Sequence, residues 1–310
     1  MRNSKRKPKS KPKTCPTILR GEKVEGRHEK VVYENDRGQS LVIEHAFPFF
    51  LQKIEGVDGT SASITKTKGI GQDGTTISNV TLRDRPLAIF GSIKGETKEE
   101  LATLRAQLLE VFNPKVRGWI QYEYGDIVRQ IRCQIEEAPV FSKKLRSFKY
   151  QDFVINLIAP IPYWIGKTDD AEMAAWIGGL SFPLSFPMSF SVRGKQISVT
   201  NDGNVDTPVV IDFYGPATNP KIINLTTDQF VRVKRELLEG EKLTISTEYG
   251  RKKVDLIDSE GVATNAMHYI DLASEFWSLE PGKNSLLYEA DAGEEQAKVK
   301  VKWKNRYVGI

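Results

Sequence analysis

The stretch TKEELATLRAQLLEVFNPKVRGWIQYEYGDIVRQIRCQIE, residues 97–136, decides how the rest of the chain is read. Thr97 and Glu100 stand at capping-box spacing, in which a hydroxyl and a carboxylate each satisfy an orphan backbone donor at a helix start. Leu101, Leu104 and Leu108, then Val111 or Phe112, recur on one helical face. Asn113-Pro114 ends that pattern, so a helix is predicted over about 98–112. The period then changes from 3.6 to 2. Residues 116–124 and 127–136 read as strands around a Gly125-Asp126 turn, with Ile131, Cys133 and Ile135 alternating onto one face. This helix is nearly alone in the chain.

Upstream, Val31–Tyr33, Leu41–His45 and Phe47–Ile54 read as short strands, with NDRG (35–38) as turn chemistry. Residues 55–74, EGVDGTSASITKTKGIGQDG, are a polar, Gly-rich loop, long enough to be a long hairpin or an interface loop that orders on assembly. Strand candidates follow at 75–84 and 87–93. Downstream, a strand is predicted at 148–158, and Ala159-Pro160-Ile161-Pro162 breaks the pattern. Residues 163–190 form a connector carrying Phe182-Pro183, Phe186-Pro187 and Phe190, and the FP pairs favour extended backbone. From about 190 onward the chain is short strands alone: 196–200, 208–214, 221–225, 229–234, 242–247, 251–257, 283–289 and 296–304. Strands at this spacing, with turn signals such as NDGN, GPATNP and EPGKN between them, argue a β-sandwich.

Composition bounds the function. The chain has 310 residues, which favours about two domains. Hydrophobic residues make up 39% and charged residues 27%, a globular balance. The longest apolar-looking stretch, FVINLIAPIPYWI at 153–165, contains two prolines and an asparagine and falls well short of the roughly 20 residues a spanning helix needs. No membrane insertion is therefore expected. The basic start of the chain is not followed by an apolar run and a cleavage site, so no signal peptide is expected. Two cysteines, Cys15 and Cys133, are too few for a disulfide framework or a cysteine zinc site, and folding in a reducing cytoplasm is expected. The net charge of +5 is local. Seven basic side chains lie in residues 1–13, and without them 38 basic residues face 40 acidic ones. Residues 1–30 read as a basic, flexible arm.

Candidate chemistry is sparse. Gly69-Ile70-Gly71-Gln72-Asp73-Gly74 matches G-x-G-x-x-G, but a dinucleotide site needs a buried strand before it and a helix opening after it. Here TKTK precedes and strand-like TTIS follows, so the motif reads as a loop. His28, His45 and His268 lack a second ligand at metal spacing. Glu136 and Glu137 are adjacent and would point to opposite faces of a strand. Trp277 and Trp303 are the aromatics that a sugar site in the sandwich would use, and they read as core. The arm has the charge for nonspecific phosphate contacts but no aromatic residue for stacking. No catalytic residue set, metal site or cofactor site is assigned.

The order of elements resembles the distal tail protein family of long-tailed phages. In family order come GIGQDG, TLRDRPLAIFGSIKG, the single helix ending in VFNPKVRGWIQYEYGD, EEAPVFSKK, and the strand closing in LIAPIPYW. FPLSFP follows, then VTNDGNVDTPVVIDFYGPATNPKIIN, STEYGRKKV, DLASEFWSLEPGKNSLLYEA and VKVKWKNRYVGI. The resemblance spans roughly 31–310. The long basic arm departs from it, and there is no long insertion of the kind that houses added carbohydrate-binding modules in some members.

The resemblance implies a mainly β protein without enzymatic activity. Residues 31–165 would be a ring-forming β domain carrying the helix, and 166–310 a galectin-like β-sandwich on the ring's outside. Six copies would close into a homo-hexameric ring at the distal tip of the tail, assembled in the bacterial host cytoplasm. The partners would be the tail tube protein on one face and the hub, tail-associated lysin or fibre protein on the other. DNA would pass only transiently through the lumen. The rival readings are a carbohydrate-binding host-adhesion protein, a nucleotide-dependent enzyme using GIGQDG, and the equivalent ring of a phage-tail-like bacteriocin.

Overall fold

The computed structural model describes residues 29–142, 149–166, 175–177, 196–292 and 298–310. Nearly all of the expected arm and the FP motif of the connector lie outside the described residues. The protein is mainly β with one α-helix among those described, as the period changes predict.

The first half runs β1 (Glu29–Asn35), β2 (Ser40–Glu44), β3 (Phe49–Glu55), β4 (Ala62–Thr67), β5 (Thr76–Leu82), β6 (Arg85–Lys94), α1 (Lys98–Val111), β7 (Arg117–Tyr124), β8 (Ile127–Ile135), β9 (Val140–Phe141), β10 (Tyr150–Ala159), β11 (Trp164–Gly166) and β12 (Ala175–Ile177). Seven of these strands close into a barrel in the order β8-β7-β1-β2-β3-β6-β10. Closure comes from Leu157 pairing with Ile135 and Ile158 with Gln134. All barrel pairings are antiparallel except a single parallel contact between β2 and β3. A closed barrel has no free edge to template aggregation. The inward positions alternate as the sequence reads: Val31 and Tyr33, Leu41 and Ile43, Ile131, Cys133 and Ile135, and Phe153, Ile155 and Leu157. Strand β3 starts at Phe49 and not at Phe47, because Pro48 has no amide hydrogen for the ladder.

The helix joins this same core through Leu101, Leu108 and Val111. Its N-terminus follows the predicted chemistry with one shift. Thr97 Oγ1 accepts from the Glu100 amide at 3.1 Å. The Glu100 carboxylate reaches back to the Glu96 amide at 2.8 Å, one residue before the cap. At the other end, Phe112 stacks on Tyr33 with ring centroids 4.4 Å apart. Asn35, in the NDRG turn, donates from its side chain to the Val111 carbonyl at 3.1 Å and so satisfies one orphan acceptor of the last turn. Gly118 lies against the Tyr33 ring, with no room for a Cβ.

The second half runs β13 (Gln196–Asn201), β14 (Thr207–Tyr214), β15 (Ala217–Thr218), β16 (Lys221–Asn224), β17 (Gln229–Arg232), β18 (Glu236–Leu237), β19 (Lys242–Ser246), β20 (Lys253–Ile257), β21 (Ala263–Asn265), β22 (Ser278–Leu279), β23 (Gly282–Glu289), β24 (Lys298–Trp303) and β25 (Arg306–Tyr307). One sheet has the order β12-β24-β14-β19-β20-β21, with β22 pairing to β14. The other has the order β13-β23-β16-β17. Their facing positions form a second core that includes Val209, Ile211, Phe213, Ile222, Val231, Leu286, Val301 and Trp303. Phe213 of one sheet meets Tyr288 of the other at 6.0 Å. The strands too short to announce themselves by periodicity are β9, β11, β12, β15, β18, β21, β22 and β25. Of these, β25 pairs with β11 on the barrel side, so the last residues of the chain return to the first half.

Candidate functional site

Three features stand out once the two cores are accounted for. The first is β4 and β5, which pair only with each other and project from the barrel. The expected loop at 55–74 is thus largely one arm and the tip of a hairpin, and GIGQDG is the tip. Gln72 organises it: its side-chain oxygen accepts from the Gly69 amide at 3.0 Å, and its side-chain nitrogen donates to Thr76 Oγ1 at 3.1 Å. Gly71 and Gly74 have φ of 77° and 81°, the left-handed region that glycine enters freely. No helix opens after the motif, so the context a dinucleotide site requires is missing.

The hairpin's apolar residues share one face. Ile64 pairs with Val80 and Lys66 with Ile77, across a register shift that leaves Ser78 unpaired. Ile64 and Lys66 are two apart and point the same way. Ile77 and Val80 therefore point that way too, although they are three residues apart. Ile64, Ile77 and Val80 are 44%, 56% and 55% exposed. A lone two-stranded hairpin is marginal in water. An exposed apolar strip on a projecting hairpin is a candidate contact surface.

The second feature is an open groove of about 450 Å³ between the barrel and the outer face of the larger sandwich sheet. Trp119 and Ile165 form one wall, Val210, Arg251 and Lys302 the other. Lys302 is held by Asp212 at 2.9 Å, and Thr244 also donates to Asp212 at 2.7 Å. The third is Arg85, which is fully buried at the first inward position of β6. Its burial lowers the guanidinium pKa, an effect that the charge of nearby Asp58 opposes.

The structure disperses the remaining candidates. His45 sits 3.9 Å from Glu29 and edge-on to Phe50. His268 packs on the neighbouring Tyr269 ring. His28 lies outside the described residues. No group of three or more potential metal ligands occurs among the described residues. The Glu137 carboxylate is engaged by Asn156 at 2.7 Å. Trp277 and Trp303 are buried in the sandwich core and offer no stacking face. Cys133 is buried, and desolvation pushes its thiol up to about 12. No described helix is long and apolar enough to cross a membrane. Arg85 and the apolar strip of Ile64, Ile77 and Val80 were not singled out in the sequence. The signal for Arg85 was available, because it shares parity with Leu87, Ile89 and Ile93.

Residues 36–159 match a family described as the phage tail protein RIFT-related domain. Residues 202–307 match the siphovirus-type tail component, C-terminal domain. Among solved structures, the SPP1 Dit (gp 19.1) protein, described as a paradigm of hub adsorption apparatus in Gram-positive infecting phages, superposes with a TM-score of 0.66. Identity is 15%, over 89% of this chain and 98% of that one. The phage P2 baseplate in its activated conformation with calcium matches at 11% identity and a TM-score of 0.49, over 89% of this chain and 97% of that one. No curated protein matches the sequence at a significant level.

Proposed function

The chain belongs to the distal tail protein family of long-tailed phages, and we propose that it is the subunit of a homo-hexameric ring at the end of the tail tube. A structural role in the distal tail of the virion follows from the family. The ring, its partners and its lumen are our reading. In it, residues 31–165 build the ring, 166–310 sit on its outside as a galectin-like sandwich, and 1–30 form a basic arm. One face meets the tail tube protein and the other a hub, lysin or fibre protein. DNA passes through the lumen without being held, and no enzymatic step is involved.

The observation that carries this reading is the hairpin. A head-to-tail ring needs two complementary surfaces on every subunit. The projecting strip of Ile64, Ile77 and Val80 supplies one that the single chain leaves uncovered. The test is light-scattering mass and negative-stain microscopy of the wild-type chain, alone and with tube and hub proteins, beside Ile64→Lys/Val80→Lys. The expected result is hexamer mass and six-fold rings for wild type. The variant stays monomeric, with its melting temperature lowered by no more than about 2 °C, because both positions are exposed. A wild-type chain that remains monomeric with both partners, or a variant that still closes rings, overturns the reading.

A further inference from the structure

Among the described residues, every hydrogen-bond partner of Arg85 is a backbone carbonyl and none is a carboxylate. Its Nε donates to the Pro162 carbonyl at 2.9 Å. One terminal nitrogen donates to the Gly56 carbonyl at 2.5 Å and reaches Val57 and Gly59 at 3.4 Å. The other terminal nitrogen donates to the Val308 carbonyl. These acceptors lie on three separate segments: the base of the hairpin, the exit from β10, and the C-terminal tail. A planar guanidinium with five donors in a fixed fork can bind all three only while they keep one mutual arrangement.

The same tail is tied to the sandwich. Val308 donates from its amide to Asn204 Oδ1 at 2.8 Å, and the Asn204 amide donates to the Arg306 carbonyl at 3.1 Å. Arg306 pairs with Glu248 at 2.9 Å. Gly203 packs so closely on Arg306 that a Cβ there would collide with the backbone. On the barrel side, Tyr307 pairs with Trp164 and lies beneath the Arg129 guanidinium at 3.8 Å. Gly309 runs against the Asp58 carbonyl at the hairpin base, again with no space for a side chain.

We propose that Arg85 and the tail 305–310 form a mechanical coupling, through which the seating of the hairpin base sets the orientation of the sandwich relative to the barrel. The coupling lies within one chain and does not depend on ring formation. Displacing the hairpin base moves the Gly56, Val57 and Gly59 carbonyls, and with them the guanidinium that holds Val308. Val308 and Arg306 in turn hold Asn204 and Glu248 of the sandwich. Coupling free energy is reciprocal, so loosening the tail must also loosen the hairpin.

The test is electron–electron distance measurement between spin labels in a Cys15→Ser chain. Labels at Val80→Cys on the hairpin, Ile127→Cys on the barrel and Tyr249→Cys on the sandwich are used in pairs, since all three sites are exposed. The Ile127–Tyr249 pair is measured with Val80→Lys, so every sample has a blocked apolar face and is expected to be monomeric whether or not the wild type closes rings. The parent chain is expected to give a narrow barrel–sandwich distribution and sets the reference width for the pairs on the hairpin. Gly309→Val, at the tail, and Gly56→Ala, at the hairpin base, are each expected to broaden both the hairpin–barrel and the barrel–sandwich distributions by about twofold or more. Asn204→Ala removes one sandwich contact of the tail and serves if either glycine variant fails to fold. If a tail variant broadens the barrel–sandwich distribution and leaves the hairpin–barrel one at its reference width, the coupling is overturned. So it is if none of them changes either distribution.

Discussion

At the scale of single residues, the interior is defined by a few side chains whose environment fixes their chemistry. Arg85 is a charged group buried within the fold, compensated by backbone carbonyls. Arg85→Met keeps much of the stem and removes every donor. Stranded buried acceptors cost about 1–3 kcal/mol each, so a loss of at least about 3 kcal/mol is expected in denaturant titration. A loss below about 1 kcal/mol would mean that water replaces the guanidinium. Cys133, pushed up to about 12, stays a thiol at neutral pH. A Cys15→Ser chain should therefore resist alkylation at pH 8 until it unfolds. Burial also raises Tyr33 and Tyr122, the latter further through its hydrogen bond to Glu29. All three groups ionise more readily in the unfolded chain than in the folded one. Their contribution is complete below about pH 8, under the unfolded thiol and phenol values, and is lost as pH rises through those values toward the folded ones. Melting curves between pH 8 and pH 11 should fall steadily, and a flat profile would refute the assignment. The Cys133 environment was legible from Ile131 and Ile135 on either side. Parity with Leu87, Ile89 and Ile93 marks Arg85 as inward, but alternation does not say which distant carbonyls meet it.

At the scale of elements, the helix and the hairpin make opposite predictions. The helix is written into local sequence: a cap, a stripe and a stop. Thr97→Ala removes the cap bond to Glu100 and should cost about 1 kcal/mol, with the barrel otherwise intact. Leu108→Ala opens a cavity at a fully buried position and should cost about 2–5 kcal/mol. Equal effects in chemical denaturation would mean that the helix is not packed as described. The hairpin β4–β5 reads in the sequence as a Gly-rich loop that fits a long hairpin or an interface loop, with a strand beyond it, and its two arms are not placed there. Its polar Thr, Ser and Lys residues carry no alternation between a wet and a dry side, because both faces are exposed in the single chain. Periodicity reports burial within the chain, so an element that finds no cover there gives a weak signal.

At the scale of the molecule, two hydrophobic cores are joined by a returning tail. The tail adds Tyr307 and Ile310 to the barrel core and pairs β25 with β11. In calorimetry the full chain should melt as one unit or nearly so. A chain ending at Lys304 should separate into two transitions, one for each core. A single unchanged transition in the shortened chain would show that the groove surfaces alone hold the halves together.

The amino-acid sequence by itself determined the mainly β character, the isolated helix with its ends, the inward and outward parity of most strands, and the family order of elements across both halves. These follow from contacts between near neighbours and from which side of an element meets water. Tertiary structure alone decided the closure of the barrel, where Leu157 meets Ile135, and the return of residues 306–307 to Trp164 and Ile165. It also decided the gathering of three segments around Arg85. Each joins residues far apart in the chain, and the pairing depends on which edge or carbonyl is left unsatisfied after local structure has formed.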